Sequence, residues 1–211
     1  MKPLFITDLD HTLLRSDQTI SSYTAKVWNE LNEHAILSIA TARSFHKVKE
    51  FLCELELNAP MILLDGSMIV TPDKEIIDLK LLTKDLSNEI INEGAKHGIY
   101  PFVIGLEDDS IKELFWYPKV LNKYQSQVLL NYKNDPRLSL KDPITAMNRV
   151  LKVVYFGSYE VLKPLTEHLK DVFGTTVEYK LSPENYGGGW FLTILHPHGD
   201  KSHALKTVTS Y

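Results

Sequence analysis

The chain is poor in several features that would point to particular kinds of protein. It has a single cysteine, Cys53, so a disulfide framework is excluded. Within Phe51-Leu52-Cys53-Glu54-Leu55 that residue reads as a small apolar side chain on a helix face. Long basic runs are missing and the formal net charge is -4, so bulk electrostatics draws neither nucleic acid nor anionic membrane. No stretch reaches the roughly 18 apolar residues that a membrane span needs. The apolar run after Met1-Lys2-Pro3 is too short for a signal-peptide core. A cytoplasmic location and small-molecule partners are the expectations. Gly187-Gly188-Gly189 lacks a Walker lysine and the G-x-G-x-x-G spacing, and reads as a turn. No internal repeat stands out. What is present is 211 residues, 44% hydrophobic and 24% charged, ordinary globular material for one or two domains.

Leu4-Phe5-Ile6-Thr7 is a short apolar run that fits a strand of a parallel sheet. Ser21-Ser22 offers an N-cap, and Ala25, Val27, Trp28 and Leu31 recur at helical spacing to about His34. A second strand at Ile36–Ala40, a helix from Ser44 and a third strand at Met61–Leu64 follow. That alternation predicts an α/β fold with a doubly wound parallel sheet. From about residue 82 strands come in pairs: helix 84–97, strands 100–106 and 112–117, helical material at 119–132, strand 150–156, helix 159–173 and strand 175–181. This predicts an inserted α+β domain over 82–189. Trp190–Leu195 would then return the chain to the first domain, made of 1–81 and 190–211.

Asp8 and Asp10 fall at the carboxyl end of the first strand, where an open α/β sheet has its ligand crevice. Two carboxylates there suit a divalent cation with oxygen ligands, one attacking phosphorus while the other handles the leaving-group proton. The same pair also fits a plain turn after a strand.

Phe5-Ile6-Thr7-Asp8-Leu9-Asp10-His11-Thr12-Leu13-Leu14 resembles the first motif of the haloacid dehalogenase superfamily, D-x-D-G-T-L after an apolar strand. Ser38-Ile39-Ala40-Thr41-Ala42-Arg43 resembles the second motif, and Met61–Ile69, with Asp65-Gly66, the third-strand segment of the Cof-like subgroup with a large inserted cap. His196-Pro197-His198-Gly199-Asp200-Lys201-Ser202 looks like the third motif, a lysine opening a helix. The resemblance implies a Rossmann-like core with a cap. It also implies a Mg2+-dependent phosphatase acting through an aspartyl-phosphate on a small phosphorylated metabolite. Asp8 and Asp10 would be catalytic and hold the metal, Thr41 and Lys201 would bind phosphate, and Arg43 and Gly66 would contact substrate. A lysine at a helix start also has a physical task, offsetting repulsion between Asp8 and an anionic substrate.

The family's fourth motif, G-D-x-x-N-D a couple of dozen residues after the lysine, has no counterpart before Tyr211. The expectation is weakened metal affinity and a first strand left at a sheet edge. Either turnover is impaired or self-association through that edge covers it. Two other readings share the motifs: a phosphate-ligand-binding protein without turnover, and a phosphomutase or phosphotransferase. His11 replaces the motif's glycine. His196, His198 and His203 have a spacing that could suit zinc. Trp116, Tyr117 and Trp190 could face a substrate, although strand propensity explains them equally well.

Overall fold

The apolar run Leu4–Thr7 forms β1, which pairs in parallel with β2, Ile36–Ile39. Between them lies helix α1, Ser22–Leu31, whose N-cap Ser21 accepts a hydrogen bond from the Thr24 N–H. α1 buries Ala25 and Trp28. Helix α2, Phe45–Phe51, is capped in the same way by Ser44 and leads to β3, Met61–Leu63. A parallel bridge from Ala40 to Ile62 joins β3 to the end of β2, so three strands end side by side. The computed structural model describes residues 2–184 and 188–210. Gly187 of the expected glycine turn lies outside them.

The chain divides into two compact units, residues 1–80 with 198–211, and residues 81–197. The first is α/β and the second, with a mainly antiparallel sheet, is α+β, the fold class expected. In the first unit β3 continues into antiparallel strands β4, Met68–Val70, and β5, Ile76–Leu79. Neither was expected, because three or four residues give no clear periodicity to read. Among the described residues β1 has a strand neighbour on one side alone, and its Phe5 is 58% exposed. Cys53 is exposed as well, outside the helix face it was expected to join.

The second unit holds helix α3, Lys84–Lys96, then strands β6, Phe102–Leu106, and β7, Glu113–Pro118. Helix α4, Lys123–Asn131, follows with a reciprocal cap between Asn122 and Gln125. Strands β8, Leu138–Lys141, and β9, Val150–Gly157, helix α5, Tyr159–Phe173, and strands β10, Glu178–Pro183, and β11, Trp190–Leu195, complete it. The last helix, α6, Lys201–Ser210, belongs to the first unit. The six strands of the second unit run in the order β10-β11-β9-β6-β7-β8. Alternation along β9 sorts the core by face. Val153 and Tyr155 pack with Ile90, Leu162, Leu165 and Leu169, whereas Val154 and Phe156 pack with Tyr124 and Val128 of α4.

β11 corrects the expected boundary. Trp190–Leu195 was assigned to the first unit, but every residue of it pairs with β9 on one side and β10 on the other. An apolar run signals burial in a sheet without naming the sheet. Trp190 packs against Tyr159 of α5, and Trp116 lies under the Lys141 ammonium, so both aromatics have packing partners within this unit.

Two local features test this description. In the second unit the Arg137 guanidinium, 7% exposed, bonds Glu113 at 2.8 Å and Asp135 at 2.7 and 2.9 Å, the two carboxylates being 1% exposed. Removing the cation strands two buried carboxylates, so Arg137→Ala is expected to lower stability by about 3–5 kcal/mol in denaturant titration. In the first unit Gly66 has φ +119, and a Cβ there would overlap the Asp200 main chain and come within 2.8 Å of the Lys201 nitrogen. Gly66→Ala is expected to cost about 1–3 kcal/mol in the same titration, with loosening of α6 seen as faster amide exchange there.

Candidate active site

Parallel pairing brings the residues after β1, β2 and β3 to one end of the sheet: Asp8 and Asp10, Thr41 and Arg43, and Asp65 and Gly66. Asp8 is still extended, φ -73 and ψ 158, and caps the tight turn Leu9–Leu13, its Oδ1 accepting the Leu9 N–H at 2.7 Å. Its other oxygen, Oδ2, accepts a hydrogen bond from Lys201 Nζ at 2.8 Å. The two side chains are 47% and 35% exposed. Such a pair adds little to stability, at most about 1 kcal/mol, but it sets a cation beside a carboxylate that solutes can reach.

Lys201 arrives there because α6 is held at its first turn. Asp200 Oδ1 accepts the N–H groups of Ser202 and His203, and Asp200 Oδ2 pairs with His203 Nδ1. Burial works against ionisation of Asp200, but these hydrogen bonds outweigh it and hold the carboxyl below the usual range. Ala204 and Val208 on the next turns pack against Ile62 and Ile69.

Asp10 meets a different cation. Arg43 Nη2 donates to Asp10 Oδ1 at 2.6 Å and Arg43 Nε to Asp10 Oδ2 at 3.0 Å, a two-point fork. Nη2 also donates to Gln18 Oε1 at 3.0 Å, and the guanidinium lies 4.6 Å from the centre of the Phe51 ring. Gln18 and Phe51 escaped the sequence reading. Gln18 carries no motif, and Phe51 looked like one more apolar residue of α2. Thr41 is fully buried, its Oγ1 accepting the Arg43 N–H at 3.1 Å and its carbonyl accepting the Asp65 N–H at 3.0 Å. Gly66 serves the close approach of the α6 start. Arg43, expected to contact substrate, is joined here to Asp10.

The Mg2+ that the motifs imply can be weighed against these groups. Magnesium is commonly held by one or two carboxylates together with water and phosphate oxygens. The half-exposed Asp8 carboxylate fits that requirement. The Asp10 carboxylate has both oxygens on Arg43, which leaves its main-chain carbonyl as the second protein oxygen. Among the described residues no group of three or more His, Cys, Asp or Glu could hold a metal ion, so this would be an open site completed by solvent and substrate. The histidines do not form a zinc site among the described residues either: the His198 and His203 rings lie 4.6 Å apart, but His203 is engaged by Asp200.

Comparison with known proteins adds three findings. The fold is similar to that of a protein from Thermotoga maritima, with TM-score 0.78 and 17% identity over 100% of this chain and 75% of that one. It is equally similar to a haloacid dehalogenase-like hydrolase from Bacteroides thetaiotaomicron, with TM-score 0.78 and 16% identity over 100% and 77% of the two chains. A structure described as a subclass IIB sugar phosphatase of the superfamily matches with TM-score 0.70 and 15% identity over 100% and 75%. No curated protein matches the sequence. The family model for haloacid dehalogenase-like hydrolases matches residues 5–211, so the chain belongs to that family.

Proposed function

We propose that the protein hydrolyses small phosphate monoesters, sugar phosphates or similar metabolites, through a phosphorylated Asp8. The observation that carries this reading is the contact of Lys201 with Asp8 at the open end of three parallel strands, with Asp10 two residues on. A neighbour described as a sugar phosphatase supports the substrate class.

Asp8 supplies the carboxylate oxygen that bonds to phosphorus as the ester P–O bond breaks. Lys201, now on Asp8 Oδ2, has ammonium protons to offer the phosphoryl oxygens and lowers the repulsion between the nucleophile and its anionic target. Asp10, entering this step protonated, gives its proton to the departing alkoxide. Water then attacks phosphorus, its proton passes to Asp10, and phosphate leaves with Asp8 regenerated. Bound Mg2+, held through Asp8 and the Asp10 carbonyl, would supply further neutralisation of charge on the phosphoryl oxygens.

The test is phosphate release from a panel of sugar phosphates and an aryl phosphate, with and without Mg2+, by the wild type and Asp8→Asn. Metal-dependent release that falls by at least about 10^3-fold in the variant is the expected result. Substantial residual metal-dependent turnover in the variant would remove Asp8 as nucleophile. A folded wild type that binds a phosphate analogue and releases nothing would make the protein a phosphate-ligand binder. Transfer of the phosphoryl group to a sugar hydroxyl would make it a mutase or transferase.

A further inference from the structure

Asp10 stands in a turn, and a side chain in a turn has no neighbouring rows of residues to hold its rotamer. Its backbone is extended, φ -68 and ψ 131, and the next residue, His11, is left-handed at φ 56. A group that delivers a proton within a reaction has to be held to about 0.5 Å. Something other than the turn must do this for Asp10.

Arg43 has the required rigidity. Its main chain is tied at both ends, the N–H to Thr41 Oγ1 at 3.1 Å and the carbonyl accepting the Leu64 N–H at 3.0 Å. Its guanidinium is fixed in plane by Gln18 Oε1 and lies over the face of Phe51. Its N–H donors engage Asp10 twice and Gln18 once. A planar fork on both oxygens of a carboxylate sets distance and also the plane of the group, which a lysine ammonium does not do. We propose that Arg43, braced by Gln18 and Phe51, is the positioning residue for Asp10, and not a substrate contact. The inference rests on the hydrolysis proposed above, in which Asp10 passes its proton to the ester oxygen as the P–O bond breaks. Arg43 exchanges no proton; it fixes the carboxyl that does.

An alkyl phosphate depends on that proton because an alkoxide is a poor leaving group. A nitrophenyl phosphate does not, since nitrophenolate departs without help. The experiment measures kcat and KM of the full chain on glycerol phosphate and on nitrophenyl phosphate, for the wild type, Arg43→Ala, Arg43→Lys, Asp10→Asn and the double variant Arg43→Ala with Asp10→Asn. For the alkyl ester, Arg43→Ala is expected to lower kcat by about 10^2-fold, within the range general acid catalysis supplies, with KM within about twofold. The aryl ester is expected to lose less than about fivefold, and Arg43→Lys to restore neither loss. In the Asp10→Asn background the Arg43 change is expected to add less than about threefold, because its effect passes through Asp10.

Equal losses on both esters, a KM raised about tenfold with kcat kept, or full additivity in the double variant would overturn the assignment. If the wild type releases phosphate from neither ester, the hydrolysis reading fails by itself. The coupling is then read from the Arg43 Nε–H resonance in nitrogen-15 NMR. A slowly exchanging signal that Asp10→Asn abolishes supports the fork, and a signal unchanged by that substitution overturns it.

Discussion

Lys201 and Asp8 are 193 positions apart in the chain, and they meet because α6 packs into the first unit. Ala204 and Val208 lie on Ile62 and Ile69, and the absence of a side chain at Gly66 lets the turn after β3 run against the main chain of Asp200 and Lys201. Each helical residue turns the axis by 100° and advances 1.5 Å. A slip of one position would therefore swing the ammonium off the carboxylate. The apolar seat stabilises this register; the half-exposed ion pair it delivers does not.

Two cation–carboxylate pairs sit at this strand end, Lys201 on Asp8 and Arg43 on Asp10, and they differ in kind. The first uses one flexible ammonium on one oxygen, with about half of the carboxylate open to solvent. The second uses a braced fork on both oxygens, with side chains 17% and 26% exposed. The first leaves a carboxylate oxygen within reach of solutes, and the second fixes the orientation of its carboxylate. His11 belongs to the same arrangement. The left-handed backbone there costs a non-glycine residue about 1–2 kcal/mol, yet it removes the freedom a glycine would give the turn that carries Asp10.

The first half of the α/β unit was legible because its elements carry local signals: a buried run in β2, and the Ser21 and Ser44 caps on α1 and α2. The order of Asp8, Thr41 and Lys201 was legible through motifs, and the direct contact of Asp8 with Lys201 follows that order. Other features depend on partners distant in sequence. β4, β5 and β8 have three or four residues each, too few for a period to show. β11 reads as a buried strand whichever sheet receives it, so its neighbours β9 and β10 had to be seen. Arg43 sits in a motif, but the motif does not say which group its guanidinium holds. Gln18 and Phe51 enter through their distances to that guanidinium alone.

The first unit is discontinuous, closing around residues 198–211 after residues 81–197 have made a contiguous unit of their own. A ribosome delivers the chain from its amino end, at about 5–20 residues per second. Asp8, Asp10, Thr41 and Arg43 are therefore in place seconds before Lys201 exists. During that interval Asp8 has no ammonium beside it, and Ile62 and Ile69 lack the helix that covers them. The nascent chain thus carries an uncovered apolar patch until α6 is made. The unit left open in that interval is the one in which Lys201 later reaches Asp8.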